Sequence, residues 1–273
     1  MPSIEAAAFA RRLEVLEMVC RAKTGHIGGS MSCMDILAAL YYRVMDVEKI
    51  KRRDPARDRF ILSKGHCAEA LYAILADRGF YPREELLTYA RFDTSLAEHP
   101  TRKVPGVEAA TGALGHGLSL GVGMALAAQR DGTPAHVYVL MGDGEQDEGS
   151  VWEAAMAAGK FGLENLTAIV DRNRLQISGG TEEVMPLAPL AERYGAFGWH
   201  TVECSGHCGR ALVEALETRR PRKPTLVVAN TVKGYGSALM ENKADWHHLV
   251  PTEEQYEMIR AQLKERMEGL ENG

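Results

Sequence analysis

Residues 136–144 read His-Val-Tyr-Val-Leu-Met-Gly-Asp-Gly, a short apolar run that ends in an aspartate between two glycines. A second run at 166–170, Leu-Thr-Ala-Ile-Val, is followed closely by Asn173, and residues 148–161 between the runs place apolar side chains at helical spacing. Runs this short and this uniformly apolar are typical of strands buried on both faces. The order strand, helix, strand therefore predicts neighbouring strands of a parallel sheet.

The same alternation extends to both sides of this stretch. Ser3 and the Ser32–Asp35 pair resemble helix caps, whereas residues 24–30 and 98–123 are rich in glycine and are interpreted as irregular. The remaining predictions are helices at 3–22, 33–45, 66–78, 207–219 and 252–268, a helix that starts at Pro82, and strands at 200–203 and 225–229. We therefore predict an α/β fold with an open, mostly parallel sheet and helices on both faces, in a single domain of residues 1–273.

Composition excludes several classes of function. The chain has 37 acidic and 32 basic residues and a net charge of -5, which argues against a nucleic-acid partner. No apolar run approaches membrane-spanning length, and the charged first helix is unlike a signal peptide. Five cysteines without paired spacing favour a reducing compartment, so a cytoplasmic location is expected. The Cys204, His207 and Cys208 group lacks a second ligand pair and is a poor zinc motif.

The ends of the two predicted strands form a candidate binding site. Asp143 follows the first strand and Asn173 the second, and ligands of open α/β sheets bind at this edge. Carboxylate and amide oxygens suit Mg²⁺, which leaves its other positions to phosphate and water. Gly144 allows close approach of a phosphate, and the helix that follows offers its N-terminus to an anion. The pattern predicts a metal-bound diphosphate, with a tight turn capped by Asp143 as the simpler alternative.

Residues 111–117, Thr-Gly-Ala-Leu-Gly-His-Gly, nearly match a dinucleotide-binding loop. Such a loop should directly follow a strand, and residues 104–108 do not predict one. A flexible loop beside a cofactor is therefore the favoured interpretation. A nicotinamide-dependent oxidoreductase remains the alternative from a different class.

Taken together, these segments resemble the thiamine diphosphate-binding domain of transketolases. In family order, the motifs are residues 23–26, 63–66, 99–100, 111–117 and 142–173, and more weakly 233–236 with 246–247. The resemblance implies thiamine diphosphate with Mg²⁺, or Ca²⁺ or Mn²⁺, as cofactors. It implies a metal held by Asp143, Asn173 and the carbonyl of Leu175. It implies cofactor contacts from His66, Gly112, Ala113, Leu114, Gly142, Asp143, Gly144, Glu148, Asn173, Ile177 and Lys233.

The resemblance also implies that His26, His99 and His247 act on the sugar, whose hydroxyl protons move near neutral pH, where histidine titrates. This sequence departs from the family at Ile27, Ala113 and His116, which leaves the identity of the sugar open.

In the family, the glutamate that activates the cofactor lies on a second domain, and this chain reaches Gly273 soon after the first. The resemblance therefore implies the N-terminal subunit of a split transketolase. A C-terminal partner that carries the pyrimidine-binding domain is expected, in an α2β2 heterotetramer. The implied reaction moves a two-carbon ketol unit from a ketose, expected to be a sugar phosphate, to an aldose. The alternatives are half of a 1-deoxyxylulose-5-phosphate synthase-like enzyme, half of a 2-oxo acid decarboxylase, and a non-catalytic binding module.

Overall fold

Five parallel strands form the central sheet, and the computed structural model describes residues 3–271 around it. In chain order the strands are β1 (Arg59–Leu62), β2 (Val137–Gly142), β3 (Leu166–Arg172), β4 (Leu175–Gln176), β5 (Gly179–Gly180), β6 (His200–Ser205) and β7 (Thr225–Asn230). The short β4 and β5 form a separate antiparallel pair. The other five strands lie in the order β1-β2-β3-β7-β6, and every neighbouring pair is parallel.

Helices cover both faces of the sheet. They are α1 (Ile4–Ala22), α2 (Ile27–Ala39), α3 (Val47–Lys51), α4 (Ala68–Asp77), α5 (His116–Asp131), α6 (Gly149–Phe161), α7 (Thr181–Val184), α8 (Leu190–Ala196), α9 (Gly209–Glu217) and α10 (Glu253–Glu271). One apolar core joins the sheet to α1, α2, α4, α9 and α10, and the other joins it to α5, α6 and α8. Along β2, Val139 packs in one core and Leu140 in the other, as the pleat requires. The predicted fold class is confirmed.

The register of β2 and β3 brings the predicted site residues to one edge. Gly142 pairs with Asp171, so both strands end at the same level of the sheet. Both lie inside the sheet, with β1 on one side and β7 on the other. Asp143 and Asn173 therefore leave adjacent strands at a central position of the carboxyl edge, where parallel sheets bind ligands.

The second predicted helix, 33–45, is present, but its predicted start is six residues too late and its predicted cap is wrong. Helix α2 starts at Ile27 and continues through a π-helical turn at Leu40–Val44. Ser32 lies inside the helix and its hydroxyl donates to the Asp171 carboxylate at 2.6 Å, so it is no cap. The glycines that resemble a loop allow close packing: a Cβ at Gly28 would lie 2.5 Å from the Trp246 carbonyl oxygen.

Helix α5 begins at His116, inside the stretch 98–123 that the sequence predicts to be irregular, and continues to Asp131. Its glycines also fit tight contacts, since a Cβ at Gly117 would lie 2.4 Å from Cβ of Ser63. A Cβ at Gly121 would lie 2.5 Å from Val139. Glycine replaces apolar side chains where the helix approaches the sheet, and this removes the helical period from the sequence.

The other predicted elements are present with shifted ends. The Ser3 cap is confirmed, since its hydroxyl accepts from the amide of Ala6 at 3.0 Å. Pro82 precedes a 3-10 helix at Arg83–Thr88 rather than an α-helix. Strand β1 and helices α3, α7 and α8 were not predicted. In the described part of the chain, no helix has the length and apolar character needed to cross a membrane.

Candidate active site

A cleft of about 380 Å³ lies at the carboxyl edge of the sheet. Its walls come from the segments that follow β1, β2, β3 and β7, and from the start of α2. It is lined by His26, Gly29, Lys64, His66, His99, Gly112, Leu114, Gly142, Asp143, Gly144, Glu145, Asn173, Leu175, Gln176, Ile177, Ser178, Lys233 and His247. The cleft therefore combines the predicted metal ligands with all the predicted sugar-side histidines.

The predicted metal ligands share one wall of the cleft. Asp143 is 2% exposed and accepts hydrogen bonds from the amides of Gly144 at 2.9 Å and Arg174 at 2.5 Å. The amide oxygen of Asn173 accepts from the Leu175 amide at 3.1 Å. Burial, with the neighbouring Asp171 carboxylate, raises the pKa of Asp143 to about 6. A buried carboxylate without a cation of its own, beside an amide and a backbone carbonyl, is a donor set that fits Mg²⁺.

Gly144 is needed for a contact within the chain. A Cβ there would lie 2.4 Å from the side-chain oxygen of Gln176, a cleft residue that was not predicted. The residue must be glycine because β4 packs closely against the turn after β2. This contact already explains the glycine, whether or not a phosphate also approaches it.

Beneath this wall lies a buried ion pair that sequence reasoning missed. The ammonium of Lys64, 1% exposed, donates to the fully buried Asp171 carboxylate and to the Gly29 carbonyl at 3.4 Å. The hydroxyls of Ser32, at 2.6 Å, and of Thr231 also donate to Asp171. Burial opposes the charge of Lys64, but Asp171 outweighs it and holds the Lys64 pKa well above its ordinary value. A lysine within the motif at 63–66 was the available signal.

Glu145 is a second buried acid that was not predicted. It is 2% exposed and accepts from the hydroxyl of Ser63, from the Gly115 amide at 2.9 Å and from the Gly142 amide at 3.0 Å. It thus joins the loops after β1 and β2 to the glycine loop before α5. The acid directly after Gly-Asp-Gly was the signal that could have identified it.

Two residues predicted to contact the cofactor lie outside this cleft. Glu148 is exposed at the start of α6, beyond the 3-10 turn at Gly144–Asp147, and Ala113 is exposed on the glycine loop. Ile177 does line the cleft but is 74% exposed, at its lip. The cleft wall of this chain therefore has no contribution from Glu148 or Ala113.

The histidines form a cluster around His26. Its ring centroid lies 5.3 Å from that of His66, 5.9 Å from His99 and 5.6 Å from His247. His248, which was not predicted, lies nearer, at 4.6 Å. These side chains come from four distant segments of sequence, and the fold brings them together opposite the metal-ligand wall.

Burial and neighbouring positive groups keep three histidines of this cluster uncharged. Burial and the neighbouring His66 lower the pKa of His26 to about 4 and also lower that of His99. Burial and the Lys233 ammonium lower the pKa of His247 to about 3. Near neutral pH these three imidazoles are therefore neutral, and each neutral ring has one nitrogen that accepts and one that donates.

Lys233 connects the two walls. Its ammonium lies 3.0 Å from Nδ1 of His247 and donates to the Leu175 carbonyl at 3.3 Å. An ammonium only donates, so Nδ1 of His247 accepts and the remaining proton of the neutral ring is on Nε2. Burial and the nearby Lys64 lower the pKa of Lys233 to about 8, which leaves it mainly charged at neutral pH.

Glu69 supports the histidine wall from below. This fully buried carboxyl accepts from the His26 amide at 2.7 Å, from Ser30 Oγ at 2.9 Å and from the Tyr89 hydroxyl at 2.7 Å. Burial raises its pKa to about 7. Sequence reasoning missed Glu69, because an acid in the predicted helix at 66–78 resembles a solvent-facing residue.

Two alternative sites find no support in the geometry. Residues 101–110, before the glycine loop, contain no strand, so the loop lacks the context of a dinucleotide fingerprint. Both ring nitrogens of His207 are engaged, one with Asp35 at 2.7 Å and one with the Val232 amide at 2.9 Å. This histidine is therefore not available for a zinc site with Cys204 and Cys208.

Residues 4–267 match the family model described as transketolase, thiamine diphosphate binding domain. The chain is 49% identical over 271 residues to an apulose-4-phosphate transketolase subunit of Phocaeicola vulgatus, across 98% of this chain and 96% of that protein. It is 44% identical over 252 residues to a 6-deoxy-6-sulfo-D-fructose transketolase subunit of a Clostridium species, across 91% and 92% of the two chains.

Solved transketolase structures share the fold. That from Campylobacter jejuni matches with a TM-score of 0.89 and 28% identity, over 97% of this chain and 43% of that one. That from Leishmania mexicana matches with a TM-score of 0.84 and 30% identity, over 100% and 45% of the two chains. The chain thus spans less than half the length of these two proteins.

Proposed function

Because the chain belongs to the transketolase family, through its thiamine diphosphate-binding domain, we propose that it supplies the diphosphate side of a split enzyme's active site. It is a transketolase subunit, and its activity is the transfer of ketol groups. We also propose that residues 1–273 form a single domain. The observation that carries it is the cleft, which Asp143 and Asn173 line together with His26, His99 and His247.

The metal-ligand wall would hold the diphosphate and its metal. Asp143, Asn173 and the Leu175 carbonyl provide three hard oxygens, and Mg²⁺ is the ion that this donor set favours. Lys233 places a positive charge beside them that suits the diphosphate oxygens. His66, Gly112, Leu114, Gly142, Gly144 and Ile177 line the same cleft. When bound, thiamine diphosphate supplies the nucleophilic carbon that carries the ketol unit.

The histidine wall would handle the sugar. Neutral His26 and His99 can accept protons or hydrogen bonds from sugar hydroxyls, and His247 can donate a hydrogen bond from Nε2. Lys233 fixes this tautomer of His247 by holding its Nδ1. The residues of this chain thus orient the substrate and move its protons.

The names of the relatives suggest the class of substrate. One relative acts on apulose 4-phosphate and another on 6-deoxy-6-sulfo-D-fructose, and both compounds carry an anionic group on a sugar. We propose a ketose donor with such a group, most simply a phosphate, and an aldose acceptor.

We propose a partner chain that carries the pyrimidine-binding domain. Two relatives of nearly the same length are each named as one subunit of a transketolase, which supports the existence of a second chain. An α2β2 assembly in the cytoplasm is the simplest arrangement, and five free cysteines agree with a reducing compartment.

The test of this function is ketol transfer with and without the partner. The purified chain, shown by mass spectrometry to be free of other proteins, is assayed with ketose phosphates that include apulose 4-phosphate. No turnover is expected until the chain that co-purifies with it is added, and native mass spectrometry should then show two copies of each. Full turnover by this chain alone would overturn the split-enzyme proposal.

The metal proposal is tested with Asp143→Ala. Loss of the charged ligand should weaken Mg²⁺-dependent binding of thiamine diphosphate by about 100-fold or more, since even groups that only orient a metal ligand contribute 10–100-fold. Calorimetry on the assembled enzyme measures this, with the exposed Asp131→Ala as the matched control. Equal affinity in the two variants would contradict the assignment.

A further inference from the structure

A second group of metal-ligating side chains lies where the cleft meets the surface. His26, Glu98 and His248 each offer one ligand atom, and these atoms all lie within 4.8 Å of one another. In residues 3–271 no other group of this kind is found. We propose that the three side chains form a second metal site, for Zn²⁺ or a similar borderline ion, beside the metal-ligand wall.

The donor set distinguishes this site from the strand edge. Two imidazoles and one carboxylate are the ligands of zinc sites that keep an open position. The set of Asp143, Asn173 and Leu175 has only oxygens and suits Mg²⁺ instead. The two sites should therefore select different ions from a mixture of Mg²⁺ and Zn²⁺.

The geometry needs only small adjustments to bind an ion. Zinc bonds of 2.0–2.2 Å in a tetrahedron place ligand atoms about 3.4 Å apart. Nε2 of His248 already lies 3.9 Å from a carboxylate oxygen of Glu98. The His248 side chain is 52% exposed, so it can turn toward the other two ligands without disturbing the core.

The surroundings of His26 and of Glu98 also favour metal binding. Nδ1 of His26 is buried and has no hydrogen-bond partner, which is a costly state for a polar atom. Thr24 donates to Oε1 of Glu98 at 3.0 Å and leaves Oε2 toward His248, as an orienting outer partner does.

Occupancy of this site would withdraw His26 from the sugar. This consequence rests on the proposed function, whereas metal binding does not. Zn²⁺ should then inhibit ketol transfer in competition with the ketose donor, and a chelator should reverse the inhibition. Mg²⁺ should support activity without occupying the site.

The experiment is a calorimetric titration of the full chain with ZnCl₂ in saturating Mg²⁺. Wild type should bind one Zn²⁺, and His248→Ala should weaken it by about 100-fold or more, because a direct ligand contributes at least as much as the 10–100-fold of an outer partner. Glu98→Gln should act in the same direction. His200→Ala and Cys208→Ser are the controls for other histidines and for thiols, and both should bind as wild type does.

Two further measurements distinguish metal binding at this site from metal binding at the metal-ligand wall. Asp143→Ala should keep its Zn²⁺ affinity, so failure of the Mg²⁺ assignment would not affect this result. Co²⁺ should give the visible absorption of a four-coordinate site in wild type and lose it in His248→Ala. Zn²⁺ binding that is unchanged in both His248→Ala and Glu98→Gln, or no saturable binding by wild type, would overturn the proposal. Inhibition of equal strength in wild type and His248→Ala would overturn the competition with the donor.

Discussion

Two buried acids lie under the two walls of the cleft, and they are held in different ways. Asp171, under the metal-ligand wall, has the Lys64 ammonium and two hydroxyls as partners. Glu69, under the histidine wall, receives three neutral donors and has no cation among the residues bonded to it. Without a cation beside it, the buried Glu69 carboxyl has a raised pKa.

This difference indicates separate tasks for the two walls. The wall that is proposed to bind metal and diphosphate rests on fixed charge. The wall that is proposed to move protons rests on a carboxyl that titrates near neutral pH. Variants that change one wall at a time test this contrast.

The largest effect is expected when the ion pair is broken. Lys64→Met leaves Asp171 buried without a counter-charge, which should lower the free energy of unfolding by about 3–5 kcal/mol. Urea denaturation followed by circular dichroism measures it, with the exposed Lys103→Met as control. The double variant Lys64→Met, Asp171→Asn should recover part of the loss. If Lys64→Met is as stable as the control, the ion pair does not stabilise the metal-ligand wall, and the proposed difference between the two walls is wrong.

The next effect concerns the pH dependence of stability. The folded pKa of Glu69, about 7, lies above its ordinary value of 4.5, so the native state binds more protons between these values. The stability that comes from the protonated form is complete below pH 4.5 and is lost as the pH rises through about 7.

Glu69→Gln should remove this dependence, because glutamine can keep the bonds to His26 and Tyr89 and donate to Ser30. Between about pH 4 and about pH 8, wild type should lose about 3 kcal/mol relative to the variant. Unfolding curves across this range measure the difference. Parallel pH profiles for the two proteins would show that Glu69 does not titrate as proposed.

The smallest effect on the fold, with a clear effect on activity, is expected for His99. His99→Ala should lower turnover of the assembled enzyme by about 100-fold, as for loss of a proton-transfer group. Its melting temperature should stay close to that of His200→Ala, because the His99 ring is half-buried at the cleft surface. A variant that unfolds, or one with full turnover, would assign His99 to the structure rather than to the substrate.

The strand-edge half of the site could be predicted from the sequence. Asp143 and Asn173 follow apolar runs, and the rule that parallel strands bind ligands at their carboxyl ends places them together. The histidines could be selected only by resemblance, since nothing in their local sequence shows that His26 and His247 meet. Their proximity depends on packing between segments that lie far apart along the chain.

The buried polar residues were missed for a common physical reason. Lys64, Glu69 and Glu145 are charged side chains, and charge in a sequence usually indicates solvent. Their burial becomes possible through partners supplied by other elements, which a local pattern does not contain. Likewise, α2 and α5 were misplaced because their glycines serve close packing, and a sequence does not distinguish this from the freedom of a loop.

His99 lies on an irregular segment, 89–115, that belongs to neither the sheet nor its covering helices. Segments of this type tolerate substitution and insertion far better than the elements they connect. In evolutionary terms, duplicated genes of this family can diverge here while the strand ends stay constant. A change in this segment would therefore alter the part of the histidine wall that His99 supplies, and it would leave the metal-ligand wall as it is.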